Sequence, residues 1–282
     1  MKILVTGSGG QLGSEIKVLA ESYPELIFHF TDYPELDLTD DRAVEEEFKQ
    51  HAFDYCINCA AYTAVDKAEE DKKMADAINA HACSTLARCC KTYGTTLIHV
   101  STDFVFSGEA FRPLKETYLA NPTNYYGLSK LKGENIIKDS MKRYFIFRTS
   151  WLYSSFGANF VKTMIRLSES KDELNIISDQ LGTPTYARDL AKVILQVISS
   201  KSENYGLYHY SNEGVASWYD FTKAIFEYKN IDTKVNPIPT EKYPTPASRP
   251  HYSVMDKSKF KETFNIDIPY WRESLKECLE KL

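Results

Sequence analysis

The chain has 282 residues, 43% hydrophobic and 26% charged, with a formal net charge of −5. That balance describes a globular protein large enough for one big or two coupled domains. No long Lys/Arg run and no apolar run of spanning length occur, which excludes nucleic acid and membrane as main partners.

A first strand is expected from Lys2 to Thr6, leaving no room for a leader peptide, so the expected address is the cytoplasm. The strand breaks into Gly7-Ser8-Gly9-Gly10-Gln11-Leu12-Gly13 and then an amphipathic helix. Strand, glycine turn and helix in that order are the context of a dinucleotide fingerprint. The glycines permit a tight turn and close approach of backbone to a pyrophosphate, which the helix N-terminus then binds.

A second strand, Leu26 to Phe30, ends at Thr31-Asp32. The spacing from Gly13 suits an acid that binds the adenosine ribose, and a carboxylate there repels a 2′-phosphate. With Arg42 the nearest downstream base, NADH is favoured over NADPH. A helix over 40–50 leads to a third strand, Tyr55 to Cys59, followed by the small residues Ala60 and Ala61 and by Tyr62 and Thr63. Cys56 and Cys59 have CxxC spacing, but in a strand they would point to opposite faces, so buried thiols are expected rather than zinc or redox chemistry. The histidines show no metal-ligand spacing, and no metal site is expected.

A long helix over 71–93 and a fourth strand, Thr96 to Val100, bring the chain to Ser101-Thr102-Asp103. Hydroxyls at a strand's C-terminal end lie where open α/β sheets bind ligands. After a long loop comes Tyr126-Gly127-Leu128-Ser129-Lys130, which opens a helix to about Met141. Four residues apart on a helix, the phenol and the ammonium share one face. The ammonium is expected to bring the phenol's pKa toward the working range, and the phenol could then protonate the oxygen of a reduced carbonyl.

Tyr144 to Arg148 completes about five βα repeats, which predicts a doubly wound parallel (Rossmann) α/β sheet with right-handed crossovers. The expected division is a cofactor-binding domain over 1–150, with a returning segment near 186–200, and a smaller mixed α/β substrate-binding part over 151–282. In the later half, helices are expected at 159–168, 187–199, 218–228 and from Trp271, and strands at 174–178 and 207–210.

With these residues in hand, the chain resembles the extended short-chain dehydrogenase/reductase family over essentially its whole length. The glycine pattern is common to that family. More specific are the segments from Ala60 to Glu69, Ser101 to Phe106, Arg148 to Trp151 and Tyr243 to Pro250. The resemblance implies hydride transfer from NADH or NADPH to the C4 ketone of a dTDP-linked sugar, for surface polysaccharide. It makes Tyr126 the proton donor and Lys130 its partner and the holder of the nicotinamide ribose, with Thr102 bonding the substrate carbonyl. Gly7, Gly10, Gln11, Leu12 and Gly13 would line the cofactor pyrophosphate, and Asp32 would bind the adenosine ribose. Asp37 and Leu38 would lie near the adenine, while Ala60, Ala61, Tyr62 and Thr63 would border the cofactor. Asp103, Trp151, Asn159 and Arg249 would contact the sugar nucleotide.

The resemblance leaves open a 6-deoxytalose product and a regulatory subunit that reduces no sugar, although Thr102, Tyr126 and Lys130 together argue against the latter. It also raises a magnesium-linked dimer using an acid at Glu15 and a second acid at position 188. Arg188 stands there instead, so that dimer is not expected, and monomer and homodimer both remain.

Overall fold

Strands apolar on both faces must be covered on both sides, and this requirement organises the first half of the chain. The computed structural model describes residues 1–282. β1 (Lys2–Thr6), α1 (Gln11–Leu19), β2 (Ile27–Thr31) and α2 (Asp41–Gln50) come first. β3 (Tyr55–Asn58), α3 (Val65–Ala68), α4 (Lys72–Asp76), α5 (Ala82–Tyr93), β4 (Thr96–Thr102), α6 (Tyr125–Ser140) and β5 (Tyr144–Thr149) follow. The later chain gives β6 (Leu152–Tyr153), α7 (Phe160–Ser168), β7 (Glu173–Ile177), β8 (Leu181–Gly182), β9 (Thr185–Tyr186) and α8 (Ala187–Ser199). It ends with β10 (Gly206–His209), β11 (Ala216–Ser217), α9 (Trp218–Lys229), β12 (Lys234–Ile238), α10 (Ser258–Phe264) and α11 (Trp271–Leu279).

Six strands form one parallel sheet in the order β10-β5-β4-β3-β1-β2. From β1 the chain steps outward to β2 and then crosses back to β3, so the direction of winding reverses beside β1. Ligands of open α/β sheets bind at such a switch point, beyond the strands' carboxyl ends. There Gly7 adopts φ +65, and a Cβ on it would lie 2.6 Å from the Ala60 nitrogen. Glycine is therefore required for the loops after β1 and β3 to meet this closely. α1 and α8 cover one face of the sheet, and α2, α5 and α6 cover the other.

β4 runs two residues past Val100, which places Ser101 and Thr102 on the strand itself. The rod expected over 71–93 is interrupted by a π turn, Ala77–His81, that carries Asn79. The smaller half consists of three two-stranded pairs, β6 with β9, β7 with β12 and β8 with β11, packed on α7, α9 and α11. β12, β10 and α10 show how the later chain is shared out. β12 contains Pro237, which has no N–H to donate and is tolerated because each strand of a two-stranded sheet is an edge. β10 returns to the main sheet, and α10 packs on it. No helix is long and apolar enough to cross a membrane. All six cysteines are free, and burial pushes Cys59, Cys83, Cys89, Cys90 and Cys278 above the ordinary thiol range.

Candidate active site

Asn124 starts the site. Its side chain caps α6 by accepting from the Gly127 N–H (2.8 Å), and its amide donates to the Ser248 carbonyl (2.7 Å). An Asn cap satisfies a helix-end donor and fixes where the helix begins. Gly127 then lets the first turn of α6 press against the short turn after β4, because a Cβ there would lie 2.1 Å from the Phe104 carbonyl oxygen. Tyr126 is thereby set edge-on to Phe104, with ring centroids 5.7 Å apart, and beside Thr102. Thr102 donates to Asp103 Oδ1 (3.1 Å) and accepts from the Phe104 N–H (3.2 Å).

Burial pushes the Tyr126 phenol up to about 12, with the Thr102 hydroxyl opposing the shift and the Asp103 charge adding to it. The sequence reading expected Lys130 to bring this pKa down. Instead Lys130, 2% exposed, directs its ammonium at the Val100 carbonyl (2.7 Å) and lies 3.3 Å from His99 Nε2. Desolvation sets the phenol here with no contribution from Lys130, and it also lowers Lys130 itself, against the pull of Cys83, Glu134 and Cys59. A phenol that keeps its proton at neutral pH is suited to give it to a more basic oxygen. His99 is held well below the imidazole range, first by burial and then by the Lys130 charge, so it is neutral. Since an ammonium only donates, His99 Nε2 must accept, while Nδ1 lies 3.2 Å from the Asn58 side-chain amide.

Behind this layer, Glu134 of α6 receives Arg148 Nε (2.8 Å) and Nη2 (2.7 Å) and the Ser101 hydroxyl (2.6 Å). The pair is buried, at 0% and 3% side-chain exposure. Asn79 accepts from the Tyr62 N–H (2.9 Å) and donates to the Tyr62 carbonyl (3.1 Å) and to Ser129 (2.9 Å). The π turn thus ties the loop after β3 to the helix carrying Tyr126. Burial pushes Asp103 up to about 6, against the Ser253 and Thr102 hydroxyls.

Around the glycine turn, α1 begins at Gly10 with no side-chain cap, so its first N–H groups have no partner from that residue. Gln11 opens α1, Leu12 and Gly13 are buried in its first turn, and Asp32 Oδ2 accepts from the Gly9 N–H (2.7 Å). Asp37 accepts from the Thr39 backbone and hydroxyl, and Leu38 packs into the core. Ala60, Ala61, Tyr62 and Thr63 form the loop beyond β3.

The expected sugar-nucleotide residues are dispersed. Asp103 stands with Thr102 and Tyr126. Trp151, at φ +46, stacks on Trp218 with centroids 3.6 Å apart and planes 7° apart. Asn159 caps α7 and donates to Gln11 Oε1 (3.0 Å), linking the smaller half to the glycine turn. Arg249 makes a two-pronged pair with Asp66 (3.1 and 2.8 Å). His99, Asn79, Asn124, Glu134 and Trp218 were missed by the sequence reading. Only Asn124, an Asn two residues before Tyr126, carried a cap signal.

The family described as RmlD substrate binding domain matches residues 1–282. The chain belongs to that family. dTDP-4-dehydrorhamnose reductase of Escherichia coli K12 is 38% identical over 294 aligned positions, covering 100% of this chain and 98% of the relative. A crystal structure described as a dTDP-4-dehydrorhamnose reductase from Clostridium acetobutylicum superposes with a TM-score of 0.96 at 45% identity, over 99% of both chains. The reductase of that name from Bacillus anthracis, solved in complex with NADP, gives a TM-score of 0.96 at 37% identity, over 100% of this chain and 99% of that one.

Proposed function

We propose that this chain is an NAD(P)H-dependent oxidoreductase that reduces the C4 ketone of dTDP-4-dehydro-L-rhamnose to give dTDP-L-rhamnose. The observation that supports the reading is Tyr126 beside Thr102 at the carboxyl end of β4, with buried Lys130 one helical turn further on, in a chain similar end to end to reductases of that name.

The glycine turn fits a dinucleotide. The Gly7 contact leaves no room for a side chain, and the uncapped start of α1 offers N–H donors for a pyrophosphate. Gly10, Gln11, Leu12 and Gly13 would hold that pyrophosphate, Asp32 the adenosine ribose, and Tyr126 and Lys130 the nicotinamide ribose. Asp37 and Leu38 would border the adenine, and Ala60 to Thr63 the cofactor's flank. When bound, the nicotinamide supplies the hydride. Thr102 then bonds the ketone oxygen and steadies it as negative charge develops. Tyr126 gives its phenolic proton to that oxygen, and the Lys130 ammonium stabilises the phenolate left behind. Asp103, Trp151, Asn159 and Arg249 are proposed to orient the sugar nucleotide. Residues 1–150 with the returning chain would carry the cofactor, and 151–282 most of the substrate side.

NADH is the proposed preference, on the carboxylate of Asp32 near the glycine turn. Both Glu15 oxygens are engaged within the chain, by Ser154 (2.6 Å) and Arg188 (3.3 Å), which supports a protein without a magnesium bridge at that point.

The test supplies dTDP-4-dehydro-L-rhamnose with NADH or NADPH, follows loss of the reduced cofactor and identifies the product by NMR. Turnover to dTDP-L-rhamnose is expected, faster with NADH. A talose product would correct the pose of the sugar, and cofactor binding without turnover would refute the assignment.

A further inference from the structure

The geometry points to a transition-metal site on the outer edge of the sheet, formed by His29, Glu47 and His51. Glu47 lies in the last turn of α2, and His51 is the extended residue just after the helix, whose ring comes back beside Glu47. His29 comes from the middle of β2, opposite Leu4 in the ladder. Glu47 Oε1 lies 2.9 Å from His29 Nε2 and 3.7 Å from His51 Nε2, and the three donor atoms all fall within 4.8 Å of one another. Donors around a tetrahedral ion with bonds of about 2.1 Å stand roughly 3.4 Å apart. The two measured separations bracket that spacing, so an ion needs only small side-chain movements.

A second observation supports a ligand here. Glu47 Oε1 is shielded from water yet accepts no well-aligned hydrogen bond, although two imidazoles lie beside it. The rings lie with centroids 4.8 Å apart, and Phe53 backs both at 5.8 and 5.5 Å, which limits their rotation. The histidine side chains remain 41% and 38% exposed, leaving a path for the ion and a water ligand. Two imidazoles and one carboxylate select borderline ions such as Zn²⁺ over Mg²⁺ or Ca²⁺. The ion would fasten edge strand β2 to α2. The sequence concealed the site because its ligands come from two elements and match no linear spacing.

Equilibrium dialysis of the chelator-stripped full chain against Zn²⁺ tests this, with His29→Ala, Glu47→Gln and His51→Ala alongside and Mg²⁺ as the comparison ion. We expect one tightly bound Zn²⁺, no competition from Mg²⁺, and at least about a tenfold loss of affinity in each variant, a lower bound taken from losses at outer-shell groups. Saturating Zn²⁺ should raise the Tm of the native chain by roughly 5 °C and that of the variants by less. Native affinity in any one of the three variants, or no bound Zn²⁺ in the unmodified chain, would overturn the proposal. The three residues are half-buried, and unchanged circular dichroism distinguishes ligand loss from misfolding.

Discussion

In the sheet half, β4 and β5 pair over six register positions and are buried on both faces; in the smaller half, β6, β8, β9 and β11 are two residues each. The smaller half relies on rings instead. Trp151 stacks on Trp218, Phe160 packs on both Trp218 and Phe221, and Phe221 meets Trp271 edge-on. The Glu134–Arg148 pair and the neutral histidines His99 and His209 line the main sheet, while buried Asp189 accepts from Asn212 and from Ser274 of α11. One half is held chiefly by a ladder with a polar layer against it, the other chiefly by packed rings.

The largest effect should come from Arg148→Ala, which strips buried Glu134 of its guanidinium and leaves it the Ser101 hydroxyl and Lys138 at 3.6 Å. Breaking such a pair costs about 3–5 kcal/mol. Urea unfolding should show the loss, and an unchanged midpoint would mean that the polar layer contributes nothing.

Acid should weaken the same half next. Burial holds His209 down to about 3, with Nδ1 bonded to the Leu114 carbonyl (3.0 Å) and Nε2 facing Arg148 (3.5 Å). His99 is lowered as well. A histidine depressed in the folded state adds stability above its unfolded pKa, about 6.5, and that stability is lost as pH falls toward the folded value. Stability should therefore decline from about pH 6.5 toward 3, less steeply in His209→Asn. Asp103, raised to about 6, acts in the opposite sense: its contribution is complete below its unfolded pKa and is lost as pH rises through about 6. Asp103→Asn should accordingly steepen the acid limb, and a shallower limb would contradict the assignment.

Gly127→Ala should leave helix content intact, since alanine favours helix, yet displace Tyr126 from Thr102. A displacement near 1 Å can cost about a hundredfold in kcat/KM, which steady-state kinetics would detect. The smallest effect belongs to the ring-built half. Trp218→Ala should lose about 0.5–1.5 kcal/mol of stacking with Trp151, in addition to the burial it gives up. It should also raise the KM for the sugar nucleotide with kcat little changed, because Trp151 loses its support.

What the sequence disclosed follows the same division. The strand–glycine turn–helix order, the parallel repeats and the Tyr126–Lys130 spacing are local patterns, and each appears in the structure within a residue or two. The two-residue strands carry no periodicity, and β12 was obscured by Pro237. The partner of Lys130 was invisible because His99 lies on a different element, where an isolated histidine looks like any buried core residue. The pKa of Tyr126 was misjudged for a related reason: spacing on a helix reveals an ammonium one turn away but neither that it turns to the Val100 carbonyl nor the desolvation that raises the phenol.

The central claim is that Tyr126 supplies the proton in a ketone reduction, and Tyr126→Phe tests it most directly. Single-turnover reduction of dTDP-4-dehydro-L-rhamnose and the Kd of the reduced cofactor should be measured on the same preparations. The account predicts a fall of about 10²–10⁴ in the rate with the cofactor Kd nearly unchanged. A rate close to that of the unaltered enzyme, or equal losses in rate and cofactor binding, would contradict it.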